Sequence, residues 1–435
     1  MGLLQTDCHE DLYYAKFNDD VIYFALCVDD LLIVGSNDDI IIDFKDSLAS
    51  YFELTDVGPV KEYLGIEFTK TADGYQLTQN KYTDDILARF NIGNMRKKVP
   101  KSSTKKQFKI GGSGPDKDEF YEEPIIDESD LLDESDKKLY LSGVGLLSWL
   151  AMNTRPDLSF AVHSLAAKCA TPTINDFDNL IYCIGYLNSN KGFGLSYQKG
   201  LTDHITDKFV LYGFADASFA PGKSRKSVSG FAIYLNGCLI SWGTKRQKVI
   251  TTSSQSCEVV ALGLCVENML KVKDVLVDLN LETTKLTVLE DNQPAISKCY
   301  NRRISCSRRS VDITMKWLRE YILDRRVLNL SYIQTQNNIA DLFTKALGFE
   351  QFRVLRDALF NGRGLLFKDV VAQLKLSKFT FNQDDSLKLK PFIGVPENSS
   401  NKRRLSIDND YNSLRDDAGP PKSKRYKDLG QLSDR

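Results

Sequence analysis

Histidine is scarce, at three residues in 435, and the nine cysteines include no Cys-x-x-Cys pair, which leaves no obvious ligand set for a zinc site. The cysteines read instead as reduced thiols of an intracellular protein. No run of 18 or more apolar residues occurs, which argues against a membrane span. The first residues, with Asp7, Glu10 and Asp11, are too acidic and polar for a signal peptide. An overall surplus of positive charge is missing too: the formal net charge is −1, so the chain has no general basic coat for nucleic acid. What it has is 42% hydrophobic residues, enough to build a core in each of two or three domains.

Four carboxylates stand out where one element should give way to the next. Asp216 lies near the end of Phe209-Val-Leu-Tyr-Gly-Phe-Ala-Asp, a run apolar on both faces that predicts a central, buried strand. Asp291 ends Leu286-Thr-Val-Leu-Glu-Asp in the same way. Glu258 falls in the first turns of a predicted helix that Ser253 or Ser254 can cap, with Val259, Leu262, Val266 and Met269 as its apolar stripe. Asp341 follows a strand with Leu328, Leu330 and Tyr332 on one face, and opens the next helical run. Any one of them alone reads as a cap or turn residue; four in such places suggest a site. Converging acids raise one another's pKa unless a cation neutralises them. Mg²⁺ takes hard oxygen ligands, with Mn²⁺ as the other candidate, and a pair of ions about 4 Å apart serves phosphodiester hydrolysis. The expectation is a nuclease site with two ions.

The order of elements sharpens this. Phe209–Ala217, Ser229–Leu235 and Cys238–Trp242 read as successive strands, the last two joined at Asn236-Gly237, a strong hairpin signal. With the capped helix, the Leu286 strand, a helical region to about Arg326 and the Leu328 strand, the pattern is βββαβαβα. Asp216-Ala-Ser-Phe-Ala, Ser227-Val-Ser-Gly-Phe, Ile240-Ser-Trp, Ser253-Ser-Gln-Ser-Cys-Glu258, Glu290-Asp-Asn-Gln-Pro-Ala-Ile and Asn338-Ile-Ala-Asp-Leu-Phe-Thr-Lys resemble the ribonuclease H domain of copia-type long-terminal-repeat retrotransposons. The resemblance implies an α/β fold with a mixed five-stranded sheet and helices. It also makes Asp216, Glu258, Asp291 and Asp341 the catalytic, metal-holding acids. Two positions depart from the family: Ser256 stands where a Glu is usual, and Ser310 where a His is often found.

Near the N-terminus, Val21-Ile-Tyr-Phe-Ala-Leu-Cys-Val-Asp-Asp-Leu-Leu-Ile-Val-Gly predicts an apolar hairpin with Asp29 and Asp30 at its tip, which a plain Asp-Asp turn would also explain. Cys27-Val-Asp-Asp is similar to the Tyr-Val-Asp-Asp motif of reverse transcriptases, whose acids bind the metals of the polymerase palm. Phe44-Lys, Phe52-Glu-Leu, Gly58, Tyr63-Leu-Gly-Ile-Glu and Asn153-Thr-Arg-Pro-Asp continue the copia-type resemblance. That family places a further metal-binding Asp, and the fingers that hold template and nucleotide, ahead of this hairpin. The expectation is therefore a truncated palm without polymerase activity.

Positive charge is local. Lys223, Arg225 and Lys226, then Lys245, Arg246 and Lys248, flank the first strands of the nuclease region, and Arg302, Arg303, Arg308 and Arg309 form a second cluster. These are either solvated faces or contacts to phosphate. The expected organisation is a palm remnant over 1–95, a flexible linker over 96–139 and a helical connection over 140–200. A ribonuclease H-like domain over 207–360 and a disordered basic and polar tail over 361–435 complete it. His163, in an apolar helix, reads as a core residue rather than a ligand. Lys402-Arg-Arg and Lys422-Ser-Lys-Arg can be a bipartite nuclear signal or a solvated tail, so the place of action is cytoplasm or nucleus. The leading functional reading is hydrolysis of the RNA strand of an RNA–DNA hybrid, with the rest of a Gag-Pol polyprotein as a further partner. Its alternatives are a non-catalytic nucleic-acid-binding remnant and an integrase-like transposase, whose Asp, Asp, Glu order does not match Asp216, Glu258, Asp291.

Overall fold

The structure is a computed structural model, and it describes residues 3–17, 20–91, 130–198, 208–221, 224–303 and 308–361. Most of the expected linker, Lys223 and the basic tail beyond Asn361 lie outside the described residues.

The first sheet is an antiparallel meander of β1 (Leu4–Gln5), β2 (Leu12–Phe17), β3 (Asp20–Cys27) and β4 (Asp30–Gly35). It is closed by α1 (Asp38–Ala49), whose start is capped by Asn37, its side-chain oxygen accepting from the Ile40 amide at 2.9 Å. Ile22, Phe24 and Phe44 form its small core. The apolar β3–β4 hairpin is as the sequence predicts, with Val28 and Asp29 between the strands.

The chain continues through β5 (Glu62–Tyr63), β6 (Ile66–Thr71), β7 (Gly74–Thr78) and α2 (Asn80–Arg89), then α3 (Glu134–Asn153), α4 (Ser159–Ala166), α5 (Ile174–Ser189) and β8 (Leu195–Gln198). Helix α3 begins ahead of Tyr140, because Asp133 caps it by accepting from the Asp136 amide at 2.8 Å. Strand β8 pairs antiparallel with β7 and completes a second four-stranded sheet.

The third sheet carries the site. Strands β9 (Leu211–Ser218), β10 (Val228–Leu235) and β11 (Cys238–Arg246) run antiparallel. After α6 (Ser254–Asp278) come β12 (Leu286–Glu290), α7 (Gln293–Tyr300), α8 (Arg309–Arg319), β13 (Leu328–Tyr332) and α9 (Phe349–Asn361). The sheet order is β11-β10-β9-β12-β13, with β12 parallel to both neighbours. Asn236 and Gly237 turn the β10–β11 hairpin at φ 51° and 86°, the positive-φ pair that a tight hairpin requires.

Both faces of this sheet are covered. Leu211 and Ala215 of β9 pack under α6 and α8 with Val259, Leu262, Val266, Met269 and Met315. Tyr212 and Phe214, on the opposite face, join one core with Leu147 of α3, Leu165 of α4, Leu187 of α5 and Leu355 of α9. The alternation along β9 thus serves two helical layers. The Asn153-Thr-Arg-Pro-Asp motif fastens the second layer. Arg155 donates to both oxygens of Asp157 at 2.9 and 2.7 Å, and the Tyr186 hydroxyl donates to Asp157 at 2.7 Å. Arg356 of α9 donates to Asn190 at 3.1 Å and lies 4.3 Å from the Phe193 ring centroid.

Candidate functional site

Five acidic side chains meet at one end of the third sheet. Asp216, near the end of β9, is level with Gly230 of β10 and, through it, Thr244 of β11. It shares a face with Tyr212 and Phe214, and on that face a 3₁₀ helix over Ile339–Phe343 lies across the strands, carrying Asp341. Gly230 permits the approach: a Cβ there would stand 2.7 Å from Phe343 Cβ and from Thr344 Cγ2. Asn338 donates to the Ala215 carbonyl at 2.9 Å, Thr244 to the Phe343 carbonyl at 2.8 Å, and the Thr344 hydroxyl to Asp216 itself. From the other side of the sheet α6 presents Glu258. Its start is fixed by Ser253, which accepts from the Ser256 amide at 3.2 Å. Asp291 follows β12 between these two sides, beside Glu290.

Among the described residues two groups of acids have oxygens within 4.8 Å of one another: Asp216, Asp291 and Asp341, and Glu258, Glu290 and Asp291. All are buried except the half-buried Asp291. Lys345, one helical turn beyond Asp341, reaches its Oδ1 at 2.8 Å and Oδ2 of Asp216 at 3.6 Å.

The electrostatics follow from this crowding. Burial pushes the Asp216 carboxyl up, against the pull of Lys345 and Thr344. Burial first, then Asp216 and Asp291, hold Glu258 well above the usual carboxylate range. Glu290 is raised in the same way by burial and then by Glu258 and Asp216. Asp341 moves from 3.8 to about 8, since burial and Asp216 outweigh Lys345. A carboxyl raised on folding binds its proton more tightly in the folded state, so the stability tied to it is full below the unfolded value of about 3.9 and is lost as pH rises through the folded one. The melting temperature of the metal-free chain is therefore expected to fall between pH 5 and about 8. Asp341→Asn is expected to flatten that decline; an unchanged slope would show that Asp341 does not feel these neighbours.

The donor set fits a hard divalent cation. Every ligand on offer is a carboxylate oxygen, and Oε2 of Glu258 and Oε2 of Glu290 are buried without a hydrogen-bond partner. Magnesium or manganese suits such donors; a soft metal does not.

The structure thus brings Asp216, Glu258, Asp291 and Asp341 together. Asp29 and Asp30 are exposed at the β3–β4 turn and belong to neither group of acids. Lys245, Arg246 and Lys248 are exposed at the end of β11 just past the Asp216 row, since Lys245 and Arg246 pair with Ser229 and Val228, the partners of Ala217 and Ser218. Arg225 is exposed and Lys226 half-buried in the turn leading into β10. Arg302, Arg303, Arg308 and Arg309 are exposed around α7 and α8. Sequence reasoning did not assign Glu290, Thr344 or Lys345 to the site. The signal for Glu290 was an acid ending a largely apolar strand, on the face of Val288, and that for Lys345 a lysine four residues after Asp341.

Fold and site together define an α/β protein with a carboxylate centre suited to divalent cations. Residues 2–102 match the family model described as reverse transcriptase (RNA-dependent DNA polymerase). The chain is 28% identical over 358 residues to the retrovirus-related Pol polyprotein from transposon TNT 1-94 of Nicotiana tabacum, covering 81% of this chain and 26% of that relative. It is 26% identical over 356 residues to the one from transposon RE1 of Arabidopsis thaliana, covering 81% and 22%. An uncharacterized mitochondrial protein of Arabidopsis thaliana is 33% identical over 244 residues, 56% of this chain and 91% of that protein. The chain belongs to the Pol polyprotein family of copia-type retrotransposons. It spans about a quarter of the two Pol polyproteins. Among solved structures, a ribonuclease H1 isolated from compost aligns at 18% identity over 32% of this chain and 92% of that one, TM-score 0.25. A foamy viral protease-reverse transcriptase with an RNA/DNA hybrid aligns at 14% identity over 63% and 29%, TM-score 0.35.

Proposed function

We propose that residues 207–360 are a domain of ribonuclease H type that hydrolyses the RNA strand of RNA–DNA hybrids. Asp216, Glu258, Asp291 and Asp341 hold two Mg²⁺ ions, or Mn²⁺ in their place. The observation that carries this reading is the pair of carboxylate groups sharing Asp291, at a sheet end flanked by exposed Lys245, Arg246 and Lys248. When bound, such cations supply an activated water and screen the charge on a phosphate. The chain's own residues prepare the ground: Thr344 and Lys345 hold Asp216 and Asp341, and Asn338 anchors their helix to β9. The basic side chains grip the backbone phosphates, and contacts to ribose 2′-hydroxyls select the hybrid. Attack of water at phosphorus with loss of the ribose 3′ oxygen leaves a 5′-phosphate and a 3′-hydroxyl. Incubating the chain with a hybrid labelled on each strand is expected to yield RNA fragments with those ends and intact DNA. Cleavage of the DNA strand would contradict the substrate assignment.

One observation favours a second reading, a nucleic-acid-binding remnant without turnover: Lys345 already pairs with Asp341 and reaches Asp216, partly neutralising the two. A chain locked in that ion pair binds hybrid and does not cut it.

The polymerase is proposed to be inactive in this chain, because Asp29 and Asp30 gain no third acid among the described residues. No primer extension is expected with Mg²⁺ or Mn²⁺. Template-dependent incorporation abolished by Asp29→Asn would overturn this.

A further inference from the structure

Glu290 is the feature that the four-acid reading leaves without a task. It ends β12 on the α6 side of the sheet, on the face of buried Val288, and its side chain is fully buried. A carboxylate in that position finds a hydrocarbon core on one side and another buried acid, Glu258, on the other. One of its oxygens, Oε1, is oriented by the Asn292 amide, which donates to it at 3.1 Å. The other, Oε2, has no hydrogen-bond partner, and neither does Oε2 of Glu258. Two orphaned oxygens on adjacent buried acids, with Asp291 completing a group whose oxygens lie within 4.8 Å, are a costly arrangement for a polar network closed on itself. They suit a cation that takes several oxygens at once.

We propose that Glu290 is a metal ligand, and that Glu258, Glu290 and Asp291 form a second divalent-cation position distinct from that of Asp216, Asp291 and Asp341. This rests on the reading that the acids hold metal, and it moves the second ion from the four acids named above onto a triad that includes a fifth. The two positions differ in their counterions. Lys345 makes its ion pairs on the Asp216 and Asp341 side, so in the absence of metal the first position is partly neutralised from within. The Glu258 and Glu290 side has no cation from the chain among its hydrogen-bonding or ion-pairing partners in the described residues. A divalent ion added to the free chain therefore displaces no ion-paired lysine there.

Mn²⁺ alone, added to the full chain and counted by the electron paramagnetic resonance of the free ion, is the probe. The parent is expected to take up two equivalents. Glu290→Gln keeps the acceptor for the Asn292 amide and removes the charge, so it is expected to weaken one equivalent on the order of tenfold or more and leave the other unchanged. Asp341→Asn should weaken the other equivalent and spare this one. Glu290→Asp, which keeps the charge on a shorter arm, should recover part of the lost affinity; it also serves if Glu290→Gln misfolds. Two unchanged equivalents in Glu290→Gln would overturn the proposal while leaving the metal centre intact, as would a gain in metal-free stability without loss of Mn²⁺, the mark of two glutamates sharing a proton. No uptake by the folded parent would overturn both this proposal and the metal reading beneath it.

Discussion

Asp291→Asn is expected to lower hybrid cleavage on the order of a thousandfold or more, about 4 kcal/mol of barrier. Asp291 is the one acid shared by both carboxylate groups, so the change removes charge from both at once. Asn keeps the shape and one oxygen, and Asp291 is half-buried at the strand end rather than in the core, so folding should survive. Affinity for the hybrid comes mainly from Lys and Arg contacts to phosphate, and is expected to stay within about a factor of two to three of the parent, a change of well under 1 kcal/mol. Neutralising Lys245 and Arg246 should do the reverse, weakening binding and its salt dependence with the metal centre intact. Cleavage at parental rates by Asp291→Asn would remove the site from its proposed role.

The second large effect concerns folding. Asp157→Ala is expected to cost about 3–5 kcal/mol, because it strands the buried Arg155 guanidinium without its carboxylate and takes away the acceptor of the Tyr186 hydroxyl. The loss should exceed that of replacing Arg155 and Asp157 together by apolar residues of similar size, which strands no buried charge. Denaturant unfolding of the three chains gives the comparison. A single substitution no worse than the double one would mean that the pair is not sealed from water. The same core bears on where the nuclease region can be cut. Tyr212, Phe214 and Tyr234 of the third sheet pack with residues of α3, α4 and α5. A fragment beginning at 207 exposes that face, and is expected to be less stable than one beginning at 130.

Much of this fold is legible because its signals are local. The β10–β11 turn is announced by Asn236-Gly237, the start of α6 by Ser253, and the central place of β9 by a run that is apolar on both faces. The four acids stand at element boundaries, where a backbone change is visible in the pattern. What the sequence hides is long-range. Nothing local in Leu195-Ser-Tyr-Gln says that it will pair with Gly74–Thr78, on the far side of a long segment without periodicity. Glu290 could be placed on the Val288 face by period two, yet its neighbour Glu258 comes from a helix more than 30 residues earlier in the chain. The spacing of Asp341 and Lys345 was readable as a helical i, i+4 pair; its reach to Asp216 was not, because that contact depends on the bare face of Gly230.

The most direct test of the central claim measures binding and cleavage on one sample: the full chain with an RNA–DNA hybrid, in EDTA and then after Mg²⁺ is added. The account predicts saturable binding in both conditions and scission of the RNA strand only once Mg²⁺ is present. Saturable binding with no cleavage after Mg²⁺ or Mn²⁺ would contradict it, and would leave Lys345 as the permanent occupant of a site that binds nucleic acid without cutting it.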